Sequence, residues 1–139
     1  MFTCILLATD GSPHSEVATR YACDLASRYQ ARVYVVYAYA PIPEWLGYSE
    51  SSALIAQRTQ VGQDILGKAM ATLREAGIEA ESELLEGPAA EAILAVARTR
   101  GCDLIVMASR GQGQMKELLL GSVSHKVVSH APCPVLVTR

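Results

Sequence analysis

The chain has 139 residues, 50% apolar and 19% charged, and this length and composition predict one packed globular domain over residues 1–139. Its 12 lysines and arginines oppose 14 aspartates and glutamates, and a net charge of −2 with no basic run argues against nucleic-acid binding. No uncharged apolar stretch approaches the roughly 20 residues that cross a bilayer, and a basic start with a cleavage site is absent. We therefore expect a cytoplasmic protein with no membrane partner.

The first half of the chain predicts two strands and two helices. The apolar run at residues 3–8 is typical of a strand covered on both faces. Ser12 fits the N-cap of a helix that extends through residue 29, and the β-branched and aromatic residues of 31–39 predict a second strand. After an irregular loop with two prolines, a long helix is predicted over residues 53–76, weakened by Gly62 and Gly67.

The second half continues the alternation. Residues 78–85 alternate apolar and acidic side chains, which is typical of a half-exposed strand at a sheet edge. A helix is predicted over 88–100 and a second fully apolar strand over 103–108. A polar loop containing glycines, a short helix at 122–129 and a last strand at 134–138 complete the order.

The order βαβαβαβαβ predicts an α/β protein with a doubly wound, five-stranded parallel sheet and helices on both faces. Because the first and fourth strands are the most apolar, we expect them to be central neighbours, in the strand order 3-2-1-4-5. Ligands of such sheets bind at the carboxyl ends of strands where the winding direction reverses. The loops after Ala8 and Met107 should therefore line any binding site.

The second of these loops has the composition of an anion site. Gly111, Gly113 and Gly121 allow close approach to the backbone, and the free N–H groups at the Ser122 helix start favour a phosphate. An ordinary strand-to-helix crossover, in which the glycines only permit turns, is the alternative. Both the Walker loop and the dinucleotide-binding fingerprint are absent from the sequence.

Four segments spread over essentially the whole chain resemble the universal stress protein family. They are ILLATDGSP at 5–13, MASRGQG at 107–113, GSVS at 121–124 and APCPVLV at 131–137. The resemblance implies a Rossmann-like fold of the adenine nucleotide α-hydrolase type. The ATP-binding branch of the family has the pattern G-x₂-G-x₉-G-[S/T], whose last three fixed positions match Gly111, Gly121 and Ser122, while Ala108 replaces the first glycine.

The resemblance also implies an adenosine site at the ends of three strands. The residues that would border the adenosine are Ala8, Thr9, Asp10, Ala38, Met107 and Ala108. The Asp10 carboxylate would accept hydrogen bonds from the ribose or the adenine, and the alternative for Asp10 is a turn or cap role. Ala38 would present its backbone to the adenine edge.

For the phosphates, the resemblance implies backbone and hydroxyl donors from the loop and the helix start. These donors would be Gly111, Gly121, Ser122, Val123 and Ser124. Arg110 and Lys116 are available cations, with a solvated surface role as the alternative for each. A Mg²⁺ or Mn²⁺ ion would be held mainly by the phosphates, because no acidic cluster lies near the loop.

The last strand predicts a partner surface, because an apolar edge strand leaves unpaired backbone groups. The resemblance implies a homodimer in which last strands from two chains pair antiparallel through Val135, Leu136 and Val137. An edge protected by the chain's own tail is the alternative.

Three functions compete at this point. The first is an ATP-binding stress-response sensor or regulator that acts through protein partners, with at most slow hydrolysis. The second is a nucleotide-free dimeric stress protein that acts by protein–protein interaction, which Ala108 keeps open. The third is an enzyme related to nucleotide α-hydrolases. It would need further basic or catalytic residues near Thr9 to Ser12, and only His14 is nearby. A metal site from the histidines is not expected either, because His125 and His130 lie five residues apart, a poor spacing for a shared metal.

Overall fold

The computed structural model describes residues 1–111 and 120–139, and within these ranges strands and helices alternate as the sequence predicts. The elements are β1 (Cys4–Ala8), α1 (Pro13–Tyr29), β2 (Arg32–Tyr39), α2 (Tyr48–Glu75), β3 (Ala80–Glu86), α3 (Ala89–Thr99), β4 (Leu104–Ala108), α4 (Ser122–His130) and β5 (Val135–Thr138). No helix in the described ranges combines the length and the hydropathy that a membrane span requires.

The sheet confirms the predicted order β3-β2-β1-β4-β5, with every neighbouring pair parallel. Ile5 of β1 pairs with Val33 of β2 on one side and with Leu104 of β4 on the other. Leu6 and Ile105 are completely buried, as their continuous apolar runs predict for central strands. The winding direction therefore reverses between β1 and β4.

The helices cover the sheet on both faces. On one face, α1 and α2 pack through residues such as Ala22 and Leu73 against Val35 of the sheet. On the other face, α3 and α4 pack through residues such as Ile93 and Val127. Each face thus has its own apolar core, and the two cores meet only through the sheet.

Helix α2 begins five residues earlier than the predicted residue 53, at Tyr48. Its first turns bury little, and the Tyr48 side chain is 89% exposed. Apolar periodicity detects a helix only where one face is buried, so this polar start gives no pattern to detect.

The two glycines inside α2 have different surroundings and predict opposite effects on stability. A Cβ on Gly67 would meet no atom within 4 Å, so Gly67→Ala should raise the free energy of unfolding by about 0.5–1 kcal/mol. A Cβ on Gly62 would overlap the Leu84 side chain and lie 2.9 Å from the Tyr37 ring, so Gly62→Ala should lower it by about 1–3 kcal/mol. Urea denaturation of both variants tests the pair, and equal stabilities would contradict the close packing of Gly62.

Candidate functional site

A cavity of about 490 Å³ opens at the carboxyl edge of the sheet, beyond the ends of β1 and β4, where the winding direction reverses. This is the place where parallel α/β sheets bind ligands. All twelve residues predicted for the site line the cavity: Ala8, Thr9, Asp10, Ala38, Met107, Ala108, Arg110, Gly111, Gly121, Ser122, Val123 and Ser124. The structure thus brings together segments that are more than 100 residues apart in the chain.

Part of the cavity wall is apolar and comes from residues that the sequence did not single out. Val36 belongs to β2, Val61 and Ile65 to α2, and Ile93 to α3. Their place depends on how the helices pack over the sheet. Of these residues, Val36 alone could have been predicted from the sequence, because it lies two residues before Ala38 on the same strand. An apolar wall of this kind suits a flat, weakly polar group such as a base.

The remaining unpredicted lining residues lie in α1, in β2, at the start of α3 and directly after β4. They are Ser15, Tyr37, Ala89 and Ser109.

The junction between β1 and α1 holds Asp10 at the cavity. The Thr9 N–H donates to the Val36 carbonyl at 3.0 Å, which extends the β1–β2 ladder to the cavity edge. Asp10 Oδ1 accepts from the Ser12 N–H at 2.9 Å, and Ser12 Oγ caps α1 by accepting from the Ser15 N–H at 3.2 Å. Asp10 therefore shapes the turn and lines the cavity at the same time.

Gly111 lies directly against Asp10 across the cavity edge. A Cβ on Gly111 would overlap Asp10 Oδ2, so a side chain at position 111 would displace the carboxylate. The absence of a side chain at Gly111 therefore lets the loop approach the Asp10 carboxylate closely.

Helix α4 directs its N-terminus at the cavity. Gly121 is its N-cap, and no side chain of the described residues caps this helix. The first N–H groups of a helix have no intrahelical acceptor and carry a partial positive charge. Ser122 and Val123 line the cavity, so the uncapped start of α4 faces it.

Buried hydrogen bonds fix the start of α4. The Gly121 N–H donates to the Ser109 carbonyl at 2.6 Å, and the Ser124 hydroxyl donates to the same oxygen at 2.6 Å. The Ser124 side chain is 2% exposed. Its hydroxyl therefore ties α4 to the end of β4 in this structure.

Charge at the cavity is sparse. Asp10 and Arg110 are the charged residues of its described lining, and Arg110 is half-buried. Lys116 and Gly113, also singled out by the sequence, lie outside the described residues. Within residues 1–111 and 120–139, no group of three or more His, Cys, Asp or Glu side chains is placed to hold a metal ion.

The family model of the universal stress proteins matches residues 1–139. The chain belongs to the universal stress protein family. A universal stress protein of Thermus aquaticus, from the 3′ region of a QAH/OAS sulfhydrylase, is 44% identical over 140 residues, with 100% of both chains covered. Universal stress protein YxiE of Bacillus subtilis is 36% identical over 148 residues, again with 100% of both chains covered.

Solved structures share the fold of this universal stress protein. Universal stress protein UspA from Lactobacillus plantarum superposes with a TM-score of 0.88 at 25% identity, covering 99% of this chain and 97% of its own. A universal stress protein in complex with cAMP gives 0.76 at 24% identity, covering 99% and 97%. The Archaeoglobus fulgidus protein in complex with dAMP gives 0.72 at 22% identity, covering 100% and 98%. At these identities, the structures with cAMP and dAMP show only that the fold is shared.

Proposed function

We propose that this universal stress protein binds ATP in the cavity at the carboxyl ends of β1 and β4 and acts as a nucleotide-dependent sensor or regulator in a stress response. The observation that carries the proposal is one cavity that combines an apolar wall with the uncapped N-terminus of α4. A base and a phosphate need these two environments together. The volume of about 490 Å³ lies within the usual range for small-molecule sites.

In this proposal the adenosine lies over the ends of β1 and β2. The side chains of Val36, Ile65 and Ile93 offer apolar contact to the adenine faces. Ala38 contributes backbone groups to the adenine edge. Asp10 accepts hydrogen bonds from the ribose hydroxyls, and hydrogen bonds to a charged acceptor are stronger than neutral ones.

The phosphates lie at the start of α4. The N–H groups of Ser122 and Val123 donate to phosphate oxygens, and the absence of side chains at Gly111 and Gly121 lets the backbone come close. Arg110 supplies a positive charge. A Mg²⁺ or Mn²⁺ ion is held mainly by the phosphates themselves, because Asp10 is the one carboxylate among the described lining residues.

The proposal includes at most slow hydrolysis. Attack on a phosphate requires a group that positions and activates the water. The described lining residues include no histidine and one carboxylate, that of Asp10. We place Asp10 at the ribose, away from the phosphates. We propose that the protein acts through protein partners, in the cytoplasm; its four cysteines form no disulfide in this structure, in keeping with that compartment.

Mass spectrometry of the small molecules released by denaturing the purified protein tests this proposal. Recovery of ATP, or of its hydrolysis product, is the expected result. A protein without nucleotide that also fails to retain added ATP would overturn it. That outcome would favour the nucleotide-free interaction function, for which the methyl group of Ala108 at the glycine position of the motif is the supporting feature.

We also propose a homodimer through β5, the edge strand beside β4. The Ile105 N–H donates to the Pro134 carbonyl at 3.0 Å and the Ser109 N–H to the Thr138 carbonyl at 2.6 Å. Backbone groups alternate sides along a parallel strand, so those of Val135 and Val137 point away from β4. Within residues 1–111 and 120–139 no strand pairs with this edge, so a second copy can pair with it, antiparallel.

Val137→Pro is therefore expected to give a monomer with the fold retained. The proline removes an outward N–H and leaves the bonds to β4 in place. Light scattering after size-exclusion chromatography measures the mass, and Val137→Thr, which keeps the N–H and the branched side chain, should remain dimeric. A dimeric proline variant, or a monomeric wild type, would contradict pairing through this edge.

A further inference from the structure

Two buried thiols lie in contact at the amino edge of the sheet, opposite the cavity. Cys4 opens β1, and Cys102 lies two residues before β4. Their side chains are 7% and 6% exposed, and the two Sγ atoms are 3.2 Å apart. No disulfide joins the two cysteines in this structure.

The backbone holds this thiol pair in place. The Asp103 N–H donates to the Cys4 carbonyl at 2.8 Å, and Asp103 Oδ1 accepts from the Cys4 N–H at 3.2 Å. Ile5 and Leu104 then pair directly across β1 and β4. A disulfide has an S–S length of about 2.05 Å, so the sulfur atoms need to approach by only about 1.2 Å, a distance that small side-chain rotations cover.

We propose that Cys4 and Cys102 are an oxidation site at which hydrogen peroxide converts the thiol pair into an intramolecular disulfide. One thiol is first oxidised to a sulfenic acid, and the peroxide O–O bond breaks with release of water. The sulfur of the second thiol then attacks the sulfenic sulfur, the S–S bond forms, and a second water leaves. Two thiols and one hydrogen peroxide thus give one disulfide and two waters.

Burial makes this oxidation slow. Because desolvation raises the pKa of the Cys102 thiol well above its usual range, the thiolate that reacts with peroxide is scarce at neutral pH. Burial also raises the pKa of the partly exposed Cys133, which packs against the same apolar core. The site therefore responds to sustained peroxide, and it is restored by a thiol reductant.

The cross-link stabilises the fold, because it joins two segments that already lie side by side. Cys4 and Cys102 are 98 residues apart in the chain, so the disulfide closes a long loop. A loop of this length restricts the unfolded chain strongly. The pair lies at the edge opposite the cavity, so this inference does not depend on nucleotide binding.

Treatment of the full chain with hydrogen peroxide, followed by alkylation and mass spectrometry, tests the proposal. We expect a loss of about 2 Da, two unreactive thiols, and reversal by dithiothreitol. Peptide mapping should join Cys4 to Cys102, and the midpoint of thermal unfolding should rise by about 10 °C.

Two matched variants separate this pair from the other cysteines. Cys102→Ser should lose the disulfide and the thermal shift, while Cys23→Ser should keep both. Mapping of the wild type decides the outcome even if a serine variant folds poorly. Four reactive thiols after peroxide treatment, or a bridge that involves Cys23 or Cys133, would overturn the proposal.

Discussion

Gly121→Val is expected to weaken ATP binding by at least about 100-fold, because the branched side chain would cover the N–H groups at the start of α4. Each hydrogen bond to a charged group contributes about 1.5–3 kcal/mol, and two such bonds are proposed here. The backbone of Gly121, with φ −71° and ψ 170°, is one that a valine adopts, so the fold should be retained. Calorimetric titration with ATP measures the loss.

Adenosine serves as the second ligand in this experiment. It lacks phosphates, so its affinity should change little in Gly121→Val. Gly67→Val is the matched control, since the same substitution is made at a glycine with no atom within 4 Å of the added Cβ. Unchanged ATP affinity in Gly121→Val would refute the phosphate position at α4.

Asp10→Ala is expected to weaken both ATP and adenosine by about 10- to 100-fold, because the ribose is common to both ligands and loses a charged acceptor. The same titrations measure this effect. Gly121→Val should therefore weaken the binding of ATP but not of adenosine, whereas Asp10→Ala should weaken the binding of both.

Asp10→Asn is the control for the turn. Its side-chain oxygen can still accept from the Ser12 N–H, as Asp10 Oδ1 does at 2.9 Å, while the negative charge is lost. We expect an affinity between those of the wild type and Asp10→Ala. If Asp10→Ala lost ATP binding but kept adenosine binding, the carboxylate would act at the phosphates, and its assignment to the ribose would be wrong.

The sequence predicted the strand order because central and edge strands differ in their pattern. The continuous apolar runs of β1 and β4 require cover on both faces, which the complete burial of Leu6 and Ile105 confirms. The boundaries were less predictable. Helix α2 begins at Tyr48, in a polar segment that buries little and so leaves no periodic pattern.

The candidate site was predictable where motifs lie on strand ends and loops, and less so elsewhere. Thr9 and Ser122 could be placed because parallel strands bring their carboxyl ends to one edge. The apolar wall from Ile65 and Ile93 could not, because it depends on the packing of α2 and α3 over that edge. The role of the Ser124 hydroxyl also required the structure, since its bond to the Ser109 carbonyl depends on how α4 is positioned.

The contact between Cys4 and Cys102 could also be predicted only in part from the sequence. Cys4 and Cys102 share no spacing motif, and 98 residues separate them in the chain. Their contact follows from the β1–β4 pairing, so the strand order places them at the same edge. The 3.2 Å between the sulfur atoms depends on side-chain orientation, which the sequence does not specify.

Calorimetric titration of nucleotide-free wild-type protein with ATP in the presence of Mg²⁺ tests the central claim most directly. We predict saturable binding at one site per chain with micromolar affinity, and competition by adenosine. Absence of a binding signal at millimolar ATP, in a protein that is folded and shown to carry no nucleotide, would contradict it.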